Sequence, residues 1–273
     1  MIRALSRLFR PRVVLVNGVA AAGGYLLFPA STDPVAVVAV MAGVTFLAAG
    51  GSALNQVLER DLDQLMVRTR RRPLPQGNLR PGTAAFMGGI CILAGFVALL
   101  FTGGFWPALL GIAALVWYLG IYTPLKRRTP FALPMGAICG AAPPVIGWCV
   151  AGGSPGDFRV ILLAGLLYLW QIPHFWLIQR RHEDEYRNAG IPVFAAGHTG
   201  SSPAGFLRLW LVALVAAAML LPAFGIVEHQ VALWYALLSV PLLTMSGFHF
   251  ESALFSYLNF FPILLTLILV VQN

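Results

Sequence analysis

Charged side chains are scarce in this sequence. Only 10% of its 273 residues are Asp, Glu, Lys or Arg, whereas a soluble domain carries about 25%. The rest is strongly apolar, with 59% hydrophobic residues and a mean hydropathy of +0.80. This deficit excludes an ordinary soluble globular domain. We predict an integral membrane protein whose solvent is the lipid bilayer.

Cysteine is equally scarce. Cys91, Cys139 and Cys149 all lie in apolar stretches, without a CxxC pair or a Cys/His spacing typical of metal ligands. Free cysteine in such surroundings behaves as a small buried hydrophobe. We therefore interpret all three as packing residues rather than metal ligands or a redox pair.

Long apolar stretches are abundant instead. A helix needs about 20 mostly apolar residues to span a bilayer. Nine stretches meet this requirement, at residues 13–29, 34–54, 83–102, 105–124, 131–151, 158–178, 206–226, 231–248 and 252–271. We predict an all-α fold, a nine-transmembrane-helix bundle that forms one domain over residues 1–273.

The basic residues indicate the topology. Their excess gives a net charge of +8, and they sort by membrane side as the positive-inside rule predicts. With a cytoplasmic N-terminus, seventeen of the eighteen Lys and Arg residues lie inside and only Arg159 lies outside. Topology thus explains the charge without a nucleic-acid partner. The cytoplasmic connections are then 55–82, 125–130, 179–205 and 248–251.

The first apolar stretch, at 13–29, is predicted to be a retained span rather than a signal peptide, because no small-residue cleavage site clearly follows a short apolar core. We place the protein in the cytoplasmic (inner) membrane of a prokaryote, with its site facing the cytoplasm.

The second span ends in a polar segment. If the helix continues past Leu54, then Asn55, Glu59 and Asp63 are spaced i, i+4 and i+8 and share one face. Mg²⁺ prefers such oxygen ligands and commonly joins one or two carboxylates to substrate phosphate. Asp61 points away from this face and is expected to pair with an arginine. A solvated helix end with ordinary surface ion pairs is the competing interpretation.

Arginines follow at once, at Arg68, Arg70, Arg71 and Arg72. Arg68 is five residues beyond Asp63, and we expect it to be the member of this group that reaches a phosphate. The alternative for Arg70 to Arg72 is a lipid-facing cluster, since each basic residue near an anionic leaflet contributes about 1 kcal/mol.

Two further polar segments begin near the ends of predicted spans and continue into the cytoplasmic connections that follow them. One contains His174 and His182, eight residues apart, and then the acids 183–185. Packing of a hydrogen-bonded histidine and local pairing of the acids with Arg180 and Arg181 are the simpler interpretations. The other contains Tyr122 and Lys126, where a lysine beside a tyrosine would hold a diphosphate as a point charge.

These segments together resemble the UbiA superfamily of intramembrane aromatic prenyltransferases. The family's first motif is Asn-Asp-x-x-Asp-x-x-x-Asp, which Asn55 and Asp63 match, while Gln56 and Glu59 replace the two intervening acids. The segment 122–129 is similar to the family's Tyr-Pro-x-x-Lys-Arg segment. The resemblance covers nearly the whole chain.

Within the superfamily, the chain resembles the branch whose acceptor is haem. Four segments carry this narrower resemblance, at 60–74, 126–130, 142–148 and 170–192. The resemblance implies transfer of a farnesyl group from farnesyl diphosphate to a vinyl group of haem b, with Mg²⁺ as cofactor. Water then adds to give haem O for haem-copper terminal oxidases.

The resemblance also implies roles for individual residues. Asn55, Glu59 and Asp63 would be catalytic through metal–diphosphate binding, with Asp184 as an additional metal ligand. Arg68, Tyr122, Lys126 and Arg127 would bind the diphosphate. Haem would be held by His174, Trp176, Arg180 and Arg181, and His174 would also take part in catalysis as iron ligand, porphyrin orienter or acid–base group.

Two alternatives remain open. A UbiA-type enzyme could act on a quinone precursor or another aromatic or tetrapyrrole acceptor. A membrane transporter would place acids near the middle of the membrane, whereas these acids cluster at helix ends. The expected partners are haem b, farnesyl diphosphate and the lipid bilayer, with a downstream haem A synthase or oxidase assembly factor as a further candidate.

Overall fold

The protein is described by a computed structural model covering residues 2–30, 32–193, 203–247 and 251–271. Within these ranges the chain is helical and contains no strand. Its helices are α1 (Ile2–Phe9), α2 (Pro11–Leu26), α3 (Pro34–Leu58), α4 (Arg60–Leu65), α5 (Pro81–Gly103), α6 (Phe105–Val116), α7 (Thr123–Leu125), α8 (Ala132–Val150), α9 (Phe158–Arg181), α10 (Glu183–Asn188), α11 (Pro203–Ala223), α12 (His229–Gly247) and α13 (Glu251–Val271).

A π-helical segment, Trp117–Tyr122, joins α6 to α7 and makes Phe105–Leu125 one continuous helical stretch. Every one of the nine predicted spans coincides with a long helix or with this stretch. Five of them, beginning at Pro34, Pro81, Phe105, Ala132 and Phe158, are long and apolar enough to cross a membrane. The all-α architecture is therefore confirmed, and a crossing by all nine stays a prediction.

Helix α3 packs against both α2 and α5, and its contacts with α5 are the more extensive. Their shared core includes Val44, Leu47 and Leu99. A second core joins α8 and α9 to α11, α12 and α13 around Trp148, Leu166 and Leu214. Because α8 contacts α2, α6 and α9, it links the two halves of the bundle.

Glycine lets α2 and α8 approach backbone to backbone. A Cβ atom at Gly24 would overlap the carbonyl group of Pro144, and one at Gly147 would overlap the carbonyl oxygen of Ala21. Small residues at helix interfaces permit this close packing inside membranes. Helix α2 is therefore firmly fixed against the bundle centre.

The polar connections meet at one end of the bundle. Arg7 Nη1 donates to the carbonyl oxygen of Arg71 at 2.9 Å, and the Arg68 amide donates to Glu185 at 3.1 Å. Arg180 forms an ion pair with Glu251 at 3.1 Å. The connections predicted to share the cytoplasmic side thus converge, and the side itself stays a prediction. The parts of those connections at 194–202 and 248–250 lie outside the described residues.

Candidate functional site

Helix α3 ends at Leu58, one turn before the predicted acidic face is complete. Glu59 departs from helical geometry, with φ −105° and ψ 16°. The i to i+4 hydrogen bonds nevertheless continue, from the Glu59 amide to Asn55 at 2.9 Å and from the Asp63 amide to Glu59 at 2.8 Å. Asn55, Glu59 and Asp63 are only 5%, 3% and 3% exposed. The predicted common face is therefore buried, whereas the side chain of Asp61 is 65% exposed.

The π-helical segment fixes Asn55. Asn55 Nδ2 donates to Thr123 Oγ1 at 3.2 Å, and Thr123 Oγ1 donates to the carbonyl oxygen of Tyr118 at 2.8 Å. Thr123 is also buried. This chain of hydrogen bonds orients the amide so that the Asn55 carbonyl oxygen faces away from Thr123.

Lys126 extends to Glu59. The lysine Nζ lies 2.6 Å from Glu59 Oε1 and 2.8 Å from Oε2. Only the contact with Oε2 has hydrogen-bond geometry, but both carboxylate oxygens lie against the lysine ammonium. A cation bound to this carboxylate would therefore share it with Lys126.

Arg72, rather than Arg68, pairs with Asp63. Arg72 Nη1 contacts both carboxylate oxygens, at 2.9 and 2.8 Å, and the two side chains are 15% and 4% exposed. Burial raises the pKa of Asp63 above its ordinary value, although the Arg72 charge and hydrogen bond oppose this effect. Thr69 Oγ1 braces the turn by donating to the Asp63 carbonyl oxygen at 3.1 Å.

Arg127 pairs with Asp61 at the rim. Its two terminal nitrogens donate to the Asp61 carboxylate at 2.7 and 2.8 Å, and Nη2 also donates to the Leu58 carbonyl oxygen at 2.9 Å. The hydrogen bond from Arg127 lowers the pKa of Asp61 below its ordinary value. The expectation that Asp61 turns away and pairs with an arginine is confirmed. Arg127 is engaged in this contact rather than among the buried acids.

Arg68 connects the first polar segment to the last one. Its side chain reaches the Tyr186 hydroxyl at 3.5 Å, and its amide donates to Glu185, whose other oxygen lies 3.0 Å from His182 Nδ1. Tyr186 also packs in a small apolar cluster with Met66. Asp184, next to these residues, is exposed, and the structure does not bring it to Glu59 or Asp63.

An arginine-lined cavity of about 370 Å³ opens beside Asp63. Its wall is formed by Arg7, Arg10, Arg68, Thr69, Arg71 and Arg72. Burial and the nearby Arg72 lower the pKa of the Arg10 guanidinium from its ordinary value. Sequence reasoning assigned Arg10 only to topology. Its position just before Pro11, which starts α2, was the available signal that it belongs to an ordered turn.

Tyr122 is partly buried and packs against Tyr118 and Gly136. Its ring stacks on that of Tyr118, with centroids 5.8 Å apart and planes inclined by 15°. A Cβ atom at Gly136 would overlap the Tyr122 ring. The tyrosine pair therefore forms a packed aromatic wall next to Thr123 and Lys126.

The predicted haem residues occupy a different, aromatic environment. His174 stacks between Trp170 and Phe255, with ring centroids 5.1 and 5.3 Å away, and its buried Nδ1 has no hydrogen-bond partner within the described ranges. Arg181 lies over the Phe255 ring at 4.1 Å, and Arg180 lies over that of Trp176 at 5.3 Å. None of the described contacts joins His174 to the buried acids.

The described residues contain no cluster of three or more His, Cys, Asp or Glu side chains arranged to hold a metal. The oxygen donors of the predicted metal face are two carboxylates and one amide, from Glu59, Asp63 and Asn55. With Lys126, Arg72 and Arg68 around them, these groups could bind a polyanion with or without a divalent cation.

Comparison with known proteins identifies the family of the chain. The sequence profile of the UbiA prenyltransferase family matches residues 16–268. The chain is 56% identical to protoheme IX farnesyltransferase of Geobacter sulfurreducens over 265 residues, which cover 97% of each chain. It is 38% identical to the protoheme IX farnesyltransferase of Oleidesulfovibrio alaskensis, over 100% of this chain and 97% of the relative.

Solved structures share the fold at low sequence identity. A UbiA homolog from Aeropyrum pernix superposes with a TM-score of 0.77 at 19% identity, covering 95% of this chain and 96% of its own. A UbiA homolog from Archaeoglobus fulgidus, bound to GPP and Mg²⁺, has a TM-score of 0.68 at 16% identity and covers 93% and 98%. The chain belongs to the UbiA prenyltransferase family.

Proposed function

We propose that this member of the UbiA family transfers the farnesyl group of farnesyl diphosphate to a vinyl group of haem b, which leads to haem O. The observation that carries the proposal is the 56% identity, over 97% of both chains, with a protein named protoheme IX farnesyltransferase. The buried acids and surrounding cations supply a chemistry suited to the diphosphate donor.

The donor diphosphate fits the cations that surround the buried acids. Lys126 and Arg72 already face oxyanions, at 2.6 and 2.8 Å from Glu59 and Asp63, and Arg68 lines the adjacent cavity. Each cation would share its hydrogen bonds between a carboxylate and a phosphate oxygen. Charge-assisted hydrogen bonds of this kind are about twice as strong as neutral ones.

The residues present also fit Mg²⁺. Glu59, Asp63 and Asn55 are hard oxygen donors on one buried face, and such oxygen donors are the ligands that Mg²⁺ prefers. A Mg²⁺-bound relative with GPP supports the same cofactor. When bound, the ion would offset the negative charge that develops on the departing diphosphate. Asp184 is retained as a proposed outer contributor.

The reaction balances with water as third reactant. The bond between farnesyl C1 and the diphosphate oxygen breaks, and its electron pair leaves with the diphosphate. The vinyl π electrons form the new carbon–carbon bond. Water adds to the resulting cationic carbon and releases a proton. Lys126, Arg72 and Arg68 stabilise the leaving diphosphate, an electrostatic role that is usually the largest catalytic contribution.

The acceptor would occupy the aromatic region around His174. Phe255 provides partly exposed apolar surface next to Arg181, while the buried Trp176 packs beneath Arg180, and these two guanidiniums could pair with the haem propionates. We propose that His174 orients the porphyrin or ligates its iron. The apolar bundle would keep water from the allylic cation until the carbon–carbon bond has formed.

Further proposals concern the cellular setting. All nine long helices would cross the cytoplasmic membrane of a prokaryote, with the N-terminus and the site facing the cytoplasm. The positive-inside pattern supports this orientation. Haem O would pass to a haem A synthase or an oxidase assembly factor, and finally to a haem-copper terminal oxidase.

The test is direct. Purified protein is incubated with haem b, farnesyl diphosphate and Mg²⁺, and the products are separated and analysed by mass spectrometry. We expect a haem carrying one farnesyl group and one added water, and we expect no product when a chelator removes the metal. A prenylated quinone precursor, formed in place of farnesylated haem when both acceptors are offered, would overturn the haem assignment.

A further inference from the structure

We propose that Arg10 binds the diphosphate group of the prenyl donor and that Gln56 is a positioning residue that holds Arg10 in place. The inference rests on the proposed function, because it extends the donor site. It concerns a residue outside the acidic segment and outside the basic run that follows it.

Helix α1 is fastened to α3 by its last carbonyl groups. Gln56 Nε2 donates to the carbonyl oxygens of Leu8 and Arg7, at 2.7 and 3.2 Å, and Ser52 Oγ donates to the Leu8 carbonyl oxygen at 3.1 Å. The final carbonyls of a helix have no partner within the helix. Here α3 supplies those partners, and the Leu8 side chain is fully buried beside it.

The residue that follows helix α1, Arg10, has a strained backbone conformation. Arg10 has φ 52° and ψ 59°, and it is the only residue other than glycine with positive φ in the described chain. Pro11 follows, and a residue before proline favours extended geometry. Such a conformation persists only when its surroundings hold it, and it often marks a functional position. The attachment to Gln56 on one side and the fixed helix α2 on the other hold Arg10.

The side chain held in this way faces the arginine-lined cavity. Arg10 lines it together with Arg68 and Arg72 and is only partly exposed. Among the described residues, its guanidinium has no hydrogen bond or ion pair. The nearby Asp63 carboxylate is already bound by Arg72. A guanidinium offers five N–H donors, so the cavity presents an unused donor set to an incoming anion.

Diphosphate matches this donor set. It carries several oxygen acceptors, and the cavity that Arg10 lines adjoins the buried acids assigned to the metal. The same geometry explains why Gln56 stands where the family motif has an acid. An acid there would face the Leu8 and Arg7 carbonyl oxygens and repel them, whereas the glutamine amide donates to both.

The experiment compares Arg10→Gln with Arg12→Gln. Arg12 is two residues away and exposed, so both variants lose one positive charge from the same segment. The affinity of each purified protein for inorganic pyrophosphate with Mg²⁺ is measured by calorimetry, and the KM values for farnesyl diphosphate and haem are measured separately. Thermal unfolding in detergent establishes that both variants fold.

Loss of a charge-assisted hydrogen bond predicts roughly a 10- to 100-fold weaker pyrophosphate affinity for Arg10→Gln. We expect a parallel rise in the KM for farnesyl diphosphate and at most a twofold change for Arg12→Gln. Equal effects of the two variants would overturn the proposal, as would a rise confined to the KM for haem, which would place Arg10 on a propionate. Because pyrophosphate binding needs no acceptor, failure of haem as substrate would leave this result intact.

Gln56→Leu tests the positioning role, because leucine fills a similar volume without donating. We expect a weaker loss of pyrophosphate affinity, roughly 3- to 10-fold, and no further loss when Gln56→Leu is added to Arg10→Gln. Additive losses in the double variant would show that Gln56 acts independently of Arg10. Arg10→Lys, which keeps the charge, is expected to recover part of the affinity.

Discussion

The two candidate substrate regions of this protein differ in the chemistry of their side chains. Around Asn55, Glu59 and Asp63, buried acids meet cations at distances below 3 Å. Around His174, aromatic rings lie parallel about 5 Å apart. The first region suits a small, highly charged diphosphate, and the second suits a broad, flat and largely apolar acceptor. Under the proposed function, this difference separates donor recognition from acceptor recognition.

The largest effect is expected from Asp63→Asn. This change removes the negative charge that faces Arg72 and the proposed metal, and we expect kcat/KM to fall at least about 100-fold, as for other preorganised charged groups in active sites. Asp61→Asn is the matched control, because Asp61 also pairs with an arginine but is 65% exposed. Turnover of the control should change less than about threefold.

Thermal unfolding of both variants shows whether the bundle remains intact. Similar losses of activity in folded Asp63→Asn and Asp61→Asn would contradict the proposal that the buried acids, and not the exposed Asp61, hold the metal and the diphosphate.

A comparable but smaller effect is expected from Lys126→Met. This lysine faces the buried Glu59, whereas the next residue, Arg127, faces the exposed Asp61. We expect the pyrophosphate affinity to fall roughly 10- to 100-fold for Lys126→Met, since a charged hydrogen bond is lost, and to stay nearly constant for Arg127→Met. Calorimetry with Mg²⁺ pyrophosphate measures both. If Arg127→Met had the larger effect, the donor site would have to include the rim.

His174→Phe tests the acceptor region. Phenylalanine retains the stacking between Trp170 and Phe255, so we expect normal folding and unchanged pyrophosphate affinity. The KM for haem should rise roughly tenfold, because one specific contact of about 1.4 kcal/mol corresponds to that factor. Steady-state kinetics with varied haem checks it. An unchanged KM for haem would make His174 a packing residue and leave the acceptor site to be found elsewhere.

The smallest effect is expected at Glu185, which joins the two polar loops. The hydrogen bond from the Arg68 amide lowers the pKa of Glu185, so ionisation favours the docked loop. This contribution is present above the ordinary glutamate pKa and is lost as the pH falls through the lowered value. Glu185→Gln should accelerate hydrogen exchange of the Arg68 segment about fivefold or less at neutral pH, as for other exposed pairs.

The same measurement on the wild-type protein, with each exchange rate divided by that of an unprotected amide at the same pH, should show a faster relative exchange only below about pH 4, near the ordinary pKa of glutamate. Acceleration that is already present at neutral pH would contradict this role of Glu185.

Much of the fold was predictable because membrane spans are long and compositionally distinct. The nine predicted stretches coincide with long helices, and Asn55, Glu59 and Asp63 share a buried face as helical spacing predicts. The selection of Asp61 as the outward acid is confirmed for the same reason, since it lies on the opposite side of the turn.

Pairing across the chain was not predictable from spacing. Arg68 was singled out from its group as the residue that reaches a phosphate, but spacing gave no sign that the turn through Thr69 brings Arg72 to Asp63 and Arg68 to Tyr186. Arg10 was assigned to topology, because its approach to the site depends on a left-handed backbone that local sequence preferences disfavour. Both outcomes depend on tertiary contacts between segments far apart in the chain.

The π-helical segment Trp117–Tyr122 makes the two parts of its helical stretch differ in how they tolerate a change of length. Such a segment holds one residue more than regular α-helix would need, so the loss of one residue within it can be absorbed by a return to regular α-helix. The regular helix α6 has no such extra residue, and a deletion there would turn everything beyond it by about 100°. Thr123 would then leave Asn55, and Lys126 would leave Glu59, in a single step. Lineages that keep the proposed donor site should therefore keep the length of α6 more strictly than that of the π-helical segment.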